Sequence, residues 1–252
     1  MTKDTEDPNV HRGPLPGMDG VDDFTLLSIR ERLGESFDPV PAPVLDPADP
    51  DLDRSVAELR RIRDAISGLA HSGVGLGDIA DRLGEVADLL EPRVPEPAVR
   101  LANMWTGAGS RRANPVGGQE NPIAPPVEFH GCDDGSVMAE VTLGPAYQGP
   151  PGCVHGGISA LIIDHMMGFA NHWGGRYGMT AHYEIDYRSP TPLLQPLTFR
   201  SWVQEVDGRK TWNHATIHAG ERLCVEARGL FLEASVAVPG RPDQRSTVGD
   251  GI

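Results

Sequence analysis

The stretch Gly149–Asn171, GPPGCVHGGISALIIDHMMGFAN, decides how this chain is read. Its first half is a Pro/Gly loop. In its second half Ile158, Leu161, Ile162, Met166 and Phe169 recur at steps of three and four, which predicts a helix with one apolar stripe. Gly156-Gly157 falls where that helix starts, among backbone N–H groups that lack intrahelical partners at the positive end of the dipole. Glycines at such a tip let a ligand oxygen approach the backbone without meeting a Cβ. Asp164 then interrupts the apolar run. Donors at a helix tip and an acid inside an apolar segment are the parts of an acyl-transfer site.

The spacing of these parts carries a second expectation. Asp164 follows Gly156 by eight residues, about 12 Å along a straight helix axis. A carbonyl oxygen held by the Gly156 or Gly157 N–H lies beyond the tip, so Asp164 of the same helix cannot reach its carbon. Two antiparallel copies of the helix bring both groups to one carbonyl. The chain is therefore expected to form a homodimer with shared sites.

The segment HGGISALIIDHMMGFA, preceded by YQGPPGCV and followed by MTAHYEIDYRSPTPL, resembles the hotdog-fold acyl-CoA thioesterases of the PaaI-like and THEM-like group. The similarity runs from about Val127 to Ala234. Three features agree: His-Gly-Gly, an acid nine residues after the His, and a Thr sixteen residues after the acid. The resemblance implies an α+β hotdog fold, an antiparallel sheet wrapped around one long central helix. It also implies that the His155–Gly157 turn supplies the oxyanion-hole N–H. Asp164 is then the general base or nucleophile, and Thr180 holds the carboxylate or the attacking water. In some relatives an Asn six residues before the His positions that water. This chain has Gly149 there, and no role carries over.

Composition narrows the alternatives. The chain has 252 residues with 23 Pro and 30 Gly, and a net charge of −14 concentrated in its first hundred residues. An acidic chain without a basic stripe is a poor nucleic-acid or anionic-membrane binder. Cys132, Cys153 and Cys224 are widely spaced and odd in number, against a disulfide framework or a Cys zinc site. MTKDTEDPNVHRG does not read as a signal peptide, and no apolar run reaches the ~20 residues of a membrane helix. The expected setting is cytoplasmic, with no cofactor and no metal.

Five segments are expected. Residues 1–50 read as tail and proline-rich linker with a short helix over Asp22–Gly34. Residues 51–98 read as a helical hairpin. Its first helix starts from Asp53 as N-cap and carries Val56, Leu59, Ile62, Ile66 and Leu69; its second carries Leu76, Ile79, Leu83, Val86 and Leu90. Residues 99–126 read as Pro/Gly-rich linker wrapping onto the next domain. From 127 to 238 the period switches to two, with strands at Val127–His130, Val137–Leu143, Thr180–Arg188, Leu197–Val206, Lys210–His218 and Leu223–Ala234, and a hairpin turn at Asp207-Gly208. This is the catalytic, hotdog part, and 239–252 is a tail.

The expected substrate is an acyl-CoA, and the expected assembly a dimer or a dimer of dimers. A CoA moiety needs cations for its phosphates, and Arg188, Arg209 and Lys210 are the candidates in the catalytic half. His155 is read as orienting its loop through a backbone hydrogen bond. His165 and His172 beside Asp164 suggest a metal, but no H-x-x-x-H or Cys partner supports zinc. Two rivals remain: a non-catalytic acyl-CoA sensor, and an enoyl-thioester hydratase, for which no Asp-x-x-Pro-x-His segment is found.

Overall fold

The computed structural model describes residues 10–11, 50–69, 72–95, 112–176 and 178–233. The expected helix over Asp22–Gly34, the proline-rich run up to residue 49, the last three residues of the expected hairpin (96–98), residues 99–111 of the linker and the 239–252 tail lie outside these residues. The described strands are β1 (Val10–His11), β2 (His130–Cys132), β3 (Val137–Thr142), β4 (Met179–Tyr187), β5 (Pro196–Asp207), β6 (Lys210–Ala219) and β7 (Arg222–Leu232). The α-helices lying within the described residues are α1 (Pro50–Gly68), α2 (Gly77–Leu90) and α3 (Gly156–Trp173). The seven described strands join one antiparallel sheet in the order β1-β2-β3-β5-β6-β7-β4, so β4 is an edge among them.

The sheet curves around α3. Along β3 the residues Val137, Ala139 and Val141 are buried while Glu140 and Thr142 face out, the alternation of a strand with one face on a core. Ile162, Ile163, Met166 and Met167 of α3 are fully buried in the same cluster as Leu197, Phe199, Ile217 and Val225. Each side chain so buried contributes about 1.5–3 kcal/mol. Asn213 of β6 donates to Asn171 Oδ1 at 2.8 Å, a polar tie between sheet and helix inside this apolar layer.

One buried face and three boundaries differ from the periodicity. The buried stripe of α3 runs through Ser159, Ile162, Ile163, Met166, Met167 and Ala170, and Leu161 is left 37 % exposed. With apolar residues on nearly every side, the helix has no unique sequence stripe, and the sheet decides which side is inward. Strand β2 lies at His130–Cys132 instead of Val127–His130, because the Val127 N–H closes a turn onto Pro125 O. Gly131 is required there, since the Trp173 indole occupies the space of a Cβ and donates to Cys132 O. The last strand ends at Leu232. Helix α1 begins at Pro50, a residue suited to a first turn, and Asp53 pairs with Arg112 instead of capping.

Helix α1 docks through Val56, Arg60 and Arg63. Arg60 Nη2 donates to Gly118 O and Asn121 O, and the Arg63 guanidinium lies 5.0 Å over the Tyr147 ring. The 112–126 segment is thus a set of turns clamped between α1 and the sheet domain, with Val116 and Ala124 buried. Helix α2 buries none of its residues and leaves Ile79, Val86, Leu89 and Leu90 exposed.

Candidate active site

The Pro/Gly loop closes on itself before α3 begins. Gly149 N–H donates to Cys153 O, Cys153 N–H to Pro150 O, and His155 N–H to Tyr147 O. A Cβ on Gly149 would stand 2.7 Å from His155 Cα, so no side chain fits where some relatives place an Asn. His155 is the N-cap of α3: its Nδ1 accepts the Gly157 N–H at 2.9 Å, and its carbonyl accepts from Ile158 and Ser159. The Gly156 N–H has no acceptor among the described residues. Of the two candidate oxyanion donors, Gly156 is therefore the one left open. The glycines also answer to packing. A Cβ at 156 would press on the Tyr187 ring at 3.2 Å, and one at 157 on the His155 ring at 3.1 Å.

Two turns along the same unbroken helix, Asp164 is half-buried and accepts a hydrogen bond from Thr180 Oγ1 at 2.8 Å. A β-bulge sets up this contact. Thr180 is opposite Phe231 and His182 opposite Leu230, so Ala181 is an extra residue in β4. Side chains alternate along a strand, and one extra residue turns Thr180 to the face that carries Tyr183, Ile185 and Tyr187. That face lies on α3: Tyr183 donates to Ala160 O at 3.2 Å and Tyr187 to Gly156 O at 2.9 Å. Three hydroxyls of β4 thus meet α3 at residues 164, 160 and 156, one per turn. Burial, then the neighbouring Tyr187 and Asp164, push the Tyr183 hydroxyl well above the ordinary phenol range. It stays a donor. Thr180→Val keeps the shape of the side chain and removes its hydroxyl; kcat is expected to fall by about tenfold with the melting temperature nearly unchanged.

Within one chain the structure joins Asp164 with Thr180, and His155 with Gly156 and Gly157, but it does not join the two groups. The three expected cations are also divided. Arg188 follows β4 at the Gly156 end and pairs with Asp186 and Glu226. Arg209 and Lys210 lie at the β5–β6 turn, and Arg209 donates to Glu233 O. Lys210 is opposite Leu232, which is opposite Met179, so this turn shares the sheet end that carries Thr180. Tyr187 was not singled out by the sequence. Its alternation with Tyr183 on one strand face is the signal that was available.

His165, next to Asp164, points the other way, against the Phe129 ring at 5.4 Å. Burial lowers its pKa from the ordinary 6.5, opposed by the Asp164 charge. The unfolded chain therefore takes up this proton first, and stability is lost as pH falls below 6.5 until the folded group protonates as well. In urea unfolding, the loss between roughly pH 7.5 and pH 5.5 is expected to shrink in His165→Leu. Among the described residues no three His, Cys, Asp or Glu side chains gather where they could hold a metal ion, and no helix is long and apolar enough to cross a membrane. A cleft of ≈ 840 Å³ lined by Asp134, Ser136, Arg176, Arg200, Trp202 and His218 contains none of the candidate residues.

The comparisons with known proteins bear on this site directly. The thioesterase superfamily model matches residues 151–226, from the Pro/Gly loop to β7. A solved crystal structure of a thioesterase superfamily protein is 44 % identical and covers 75 % of this chain and 92 % of its own length, with a TM-score of 0.65. The chain belongs to the thioesterase superfamily. The sheet wrapped around α3 is accordingly the hotdog fold, here with helices preceding it. Among curated proteins, the acyl-coenzyme A thioesterase THEM4 of Rattus norvegicus is 40 % identical over 88 residues, 34 % of this chain and 38 % of that one. THEM4 of Xenopus laevis is 36 % identical over 92 residues, 36 % of this chain and 41 % of that one. The chain thus spans about two fifths of the length of these curated relatives. The superfamily match holds both halves of the site, the Gly156 tip and the Asp164–Thr180 pair.

Proposed function

We propose that the protein hydrolyses acyl-CoA thioesters at sites shared between two copies of the chain. The observation that carries this is the pairing of an open Gly156 N–H with a Thr180-bound Asp164 on one continuous helix. The midpoint of residues 156 and 164 is Ala160. A two-fold axis at that level, with the two α3 helices antiparallel, sets Gly156 of one chain beside the partner's Asp164. The edge strand β4 supports the same arrangement. Among the described strands its one neighbour is β7, and Met179 and Tyr187 on it are each 54 % exposed. A strand edge that no other described strand covers invites pairing with a second copy.

In the shared site the thioester oxygen is bound by Gly156 N–H, and the partner's Asp164, held by the partner's Thr180, takes a proton from water. The water oxygen attacks the carbonyl carbon and the negative charge passes to the bound oxygen. When the carbonyl re-forms the C–S bond breaks, and the thiolate leaves with the proton returned from the partner's Asp164. The products are a carboxylic acid and CoA thiol. Acyl-CoA as substrate is supported by the names of the THEM4 relatives. Arg188 of one chain, with the partner's Arg209 and the partner's Lys210, flanks the site for the CoA phosphates. Residues 127–238 are the catalytic unit, 51–98 an appended helical segment and 99–126 the link between them. The assembly is a dimer or a pair of dimers. A cytoplasmic setting accords with three cysteines that form no disulfide with one another.

The test is thiol release from a panel of acyl-CoAs of differing chain length and aromatic content. Steady release from at least one class is expected. Tight binding across the panel without release would instead identify a sensor.

A further inference from the structure

Two consecutive peptide groups at the tip of α3 are held in unlike ways. The His155–Gly156 peptide has its carbonyl locked by the Ile158 and Ser159 N–H groups, and its own N–H is open. The Gly156–Gly157 peptide is gripped at both ends. Its N–H donates to His155 Nδ1 at 2.9 Å, and its carbonyl accepts from the Tyr187 hydroxyl at 2.9 Å. Without that grip, two successive glycines at a helix start would sample a wide range of backbone angles, and the open N–H would lose its direction.

Tyr187 suits this task in three respects. Its ring packs on Gly156, where a Cβ would be 3.2 Å away, so the glycine and the tyrosine fit one another. Its hydroxyl is shifted upward by burial and stays protonated as a donor. Yet the residue is 54 % exposed on β4, which pairs with β7 at one end of the sheet order. It therefore borders the space in which the thioester and a second copy are proposed to sit.

We infer that Tyr187 is a positioning residue for the oxyanion donor, acting with His155 as a two-sided clamp on the Gly156–Gly157 peptide. The inference rests on the hydrolytic reading above. It concerns a residue that touches the glycine rather than the reacting atoms. A donor preorganised toward developing charge acts mainly in the transition state, so releasing the clamp lowers kcat and leaves KM nearly unchanged.

The experiment is steady-state thiol release by the full chain carrying Tyr187→Phe, His155→Ala, both, Tyr183→Phe, or Asp164→Ala. Tyr187→Phe keeps the ring and is expected to lower kcat about tenfold with KM within about twofold. The double variant is expected to fall well short of the product of the two single losses, because one peptide can be released only once. Tyr183→Phe removes the equivalent hydroxyl one turn further along α3, and its melting temperature calibrates the loss of one strand–helix hydrogen bond. A kcat for Tyr187→Phe equal to wild type overturns the clamp. So do a change confined to KM, strictly multiplicative losses, or an equal kcat loss in Tyr183→Phe. If Asp164→Ala abolishes turnover while Tyr187→Phe does not alter it, only the clamp fails. If Asp164→Ala remains fully active, the hydrolytic site and the clamp fail together.

Discussion

Asp164→Ala is expected to lower kcat for acyl-CoA hydrolysis by about a thousandfold, the scale of losing a general base at a polarised carbonyl. Among the described residues, the other carboxylates of β4 are engaged elsewhere. Asp186 is tied to Arg188, and Glu184 lies 3.2 Å from His182 on the outward face of β4. The fold should tolerate the change. Asp164 is only half-buried, its side-chain hydrogen bond is to Thr180, and that exposed hydroxyl regains water when the carboxylate is gone. The measurement is thiol release together with a thermal melt. A variant that melts like wild type and turns over like wild type would refute the assignment, while one that binds acyl-CoA without releasing thiol would support it.

The second large effect is a recovery. Gly156→Val places a side chain against the Tyr187 ring and screens the open N–H, so this variant should be as inactive as Asp164→Ala. Co-expressed, the two inactive chains are expected to regain about a quarter of wild-type activity if they pair at random about a two-fold axis. Half of such dimers are mixed, and each mixed dimer holds one site with an intact Gly156 from one chain and an intact Asp164 from the other. Differently tagged chains, purified through both tags and assayed for thiol release, make the comparison direct. Mixed dimers as inactive as their parents would place both groups in one chain, against a spacing of about 12 Å along an unbroken helix.

Much of this arrangement is legible in the chain. The alternation from Val137 to Val141 and the Asp207-Gly208 turn specify strands and a hairpin through local chemistry, and the structure places them there. The helix after His-Gly-Gly, and the acid within it, follow from spacing. Several features did not follow, each for a physical reason. The inward side of α3 is chosen by the sheet, since Leu161, Ile162 and Ile163 are equally apolar. Which glycine N–H is open depends on His155 folding back onto Gly157, and the Gly156 carbonyl is met by Tyr187, thirty-one residues away. Neither contact leaves a periodic trace. Helix α2 carries the expected stripe, but a stripe states only that a surface is apolar, and here Val86 and Leu89 remain exposed.

The extra residue at Ala181 reaches beyond this one molecule. A relative built without it would have to carry its hydroxyl at the following position to present it to the same acid. Aligned column by column, a working pair in such a relative would appear as a lost threonine beside an unremarkable alanine. Counting outward from the carboxylate through space, and not along the strand, is the comparison that would recognise the two as equivalent.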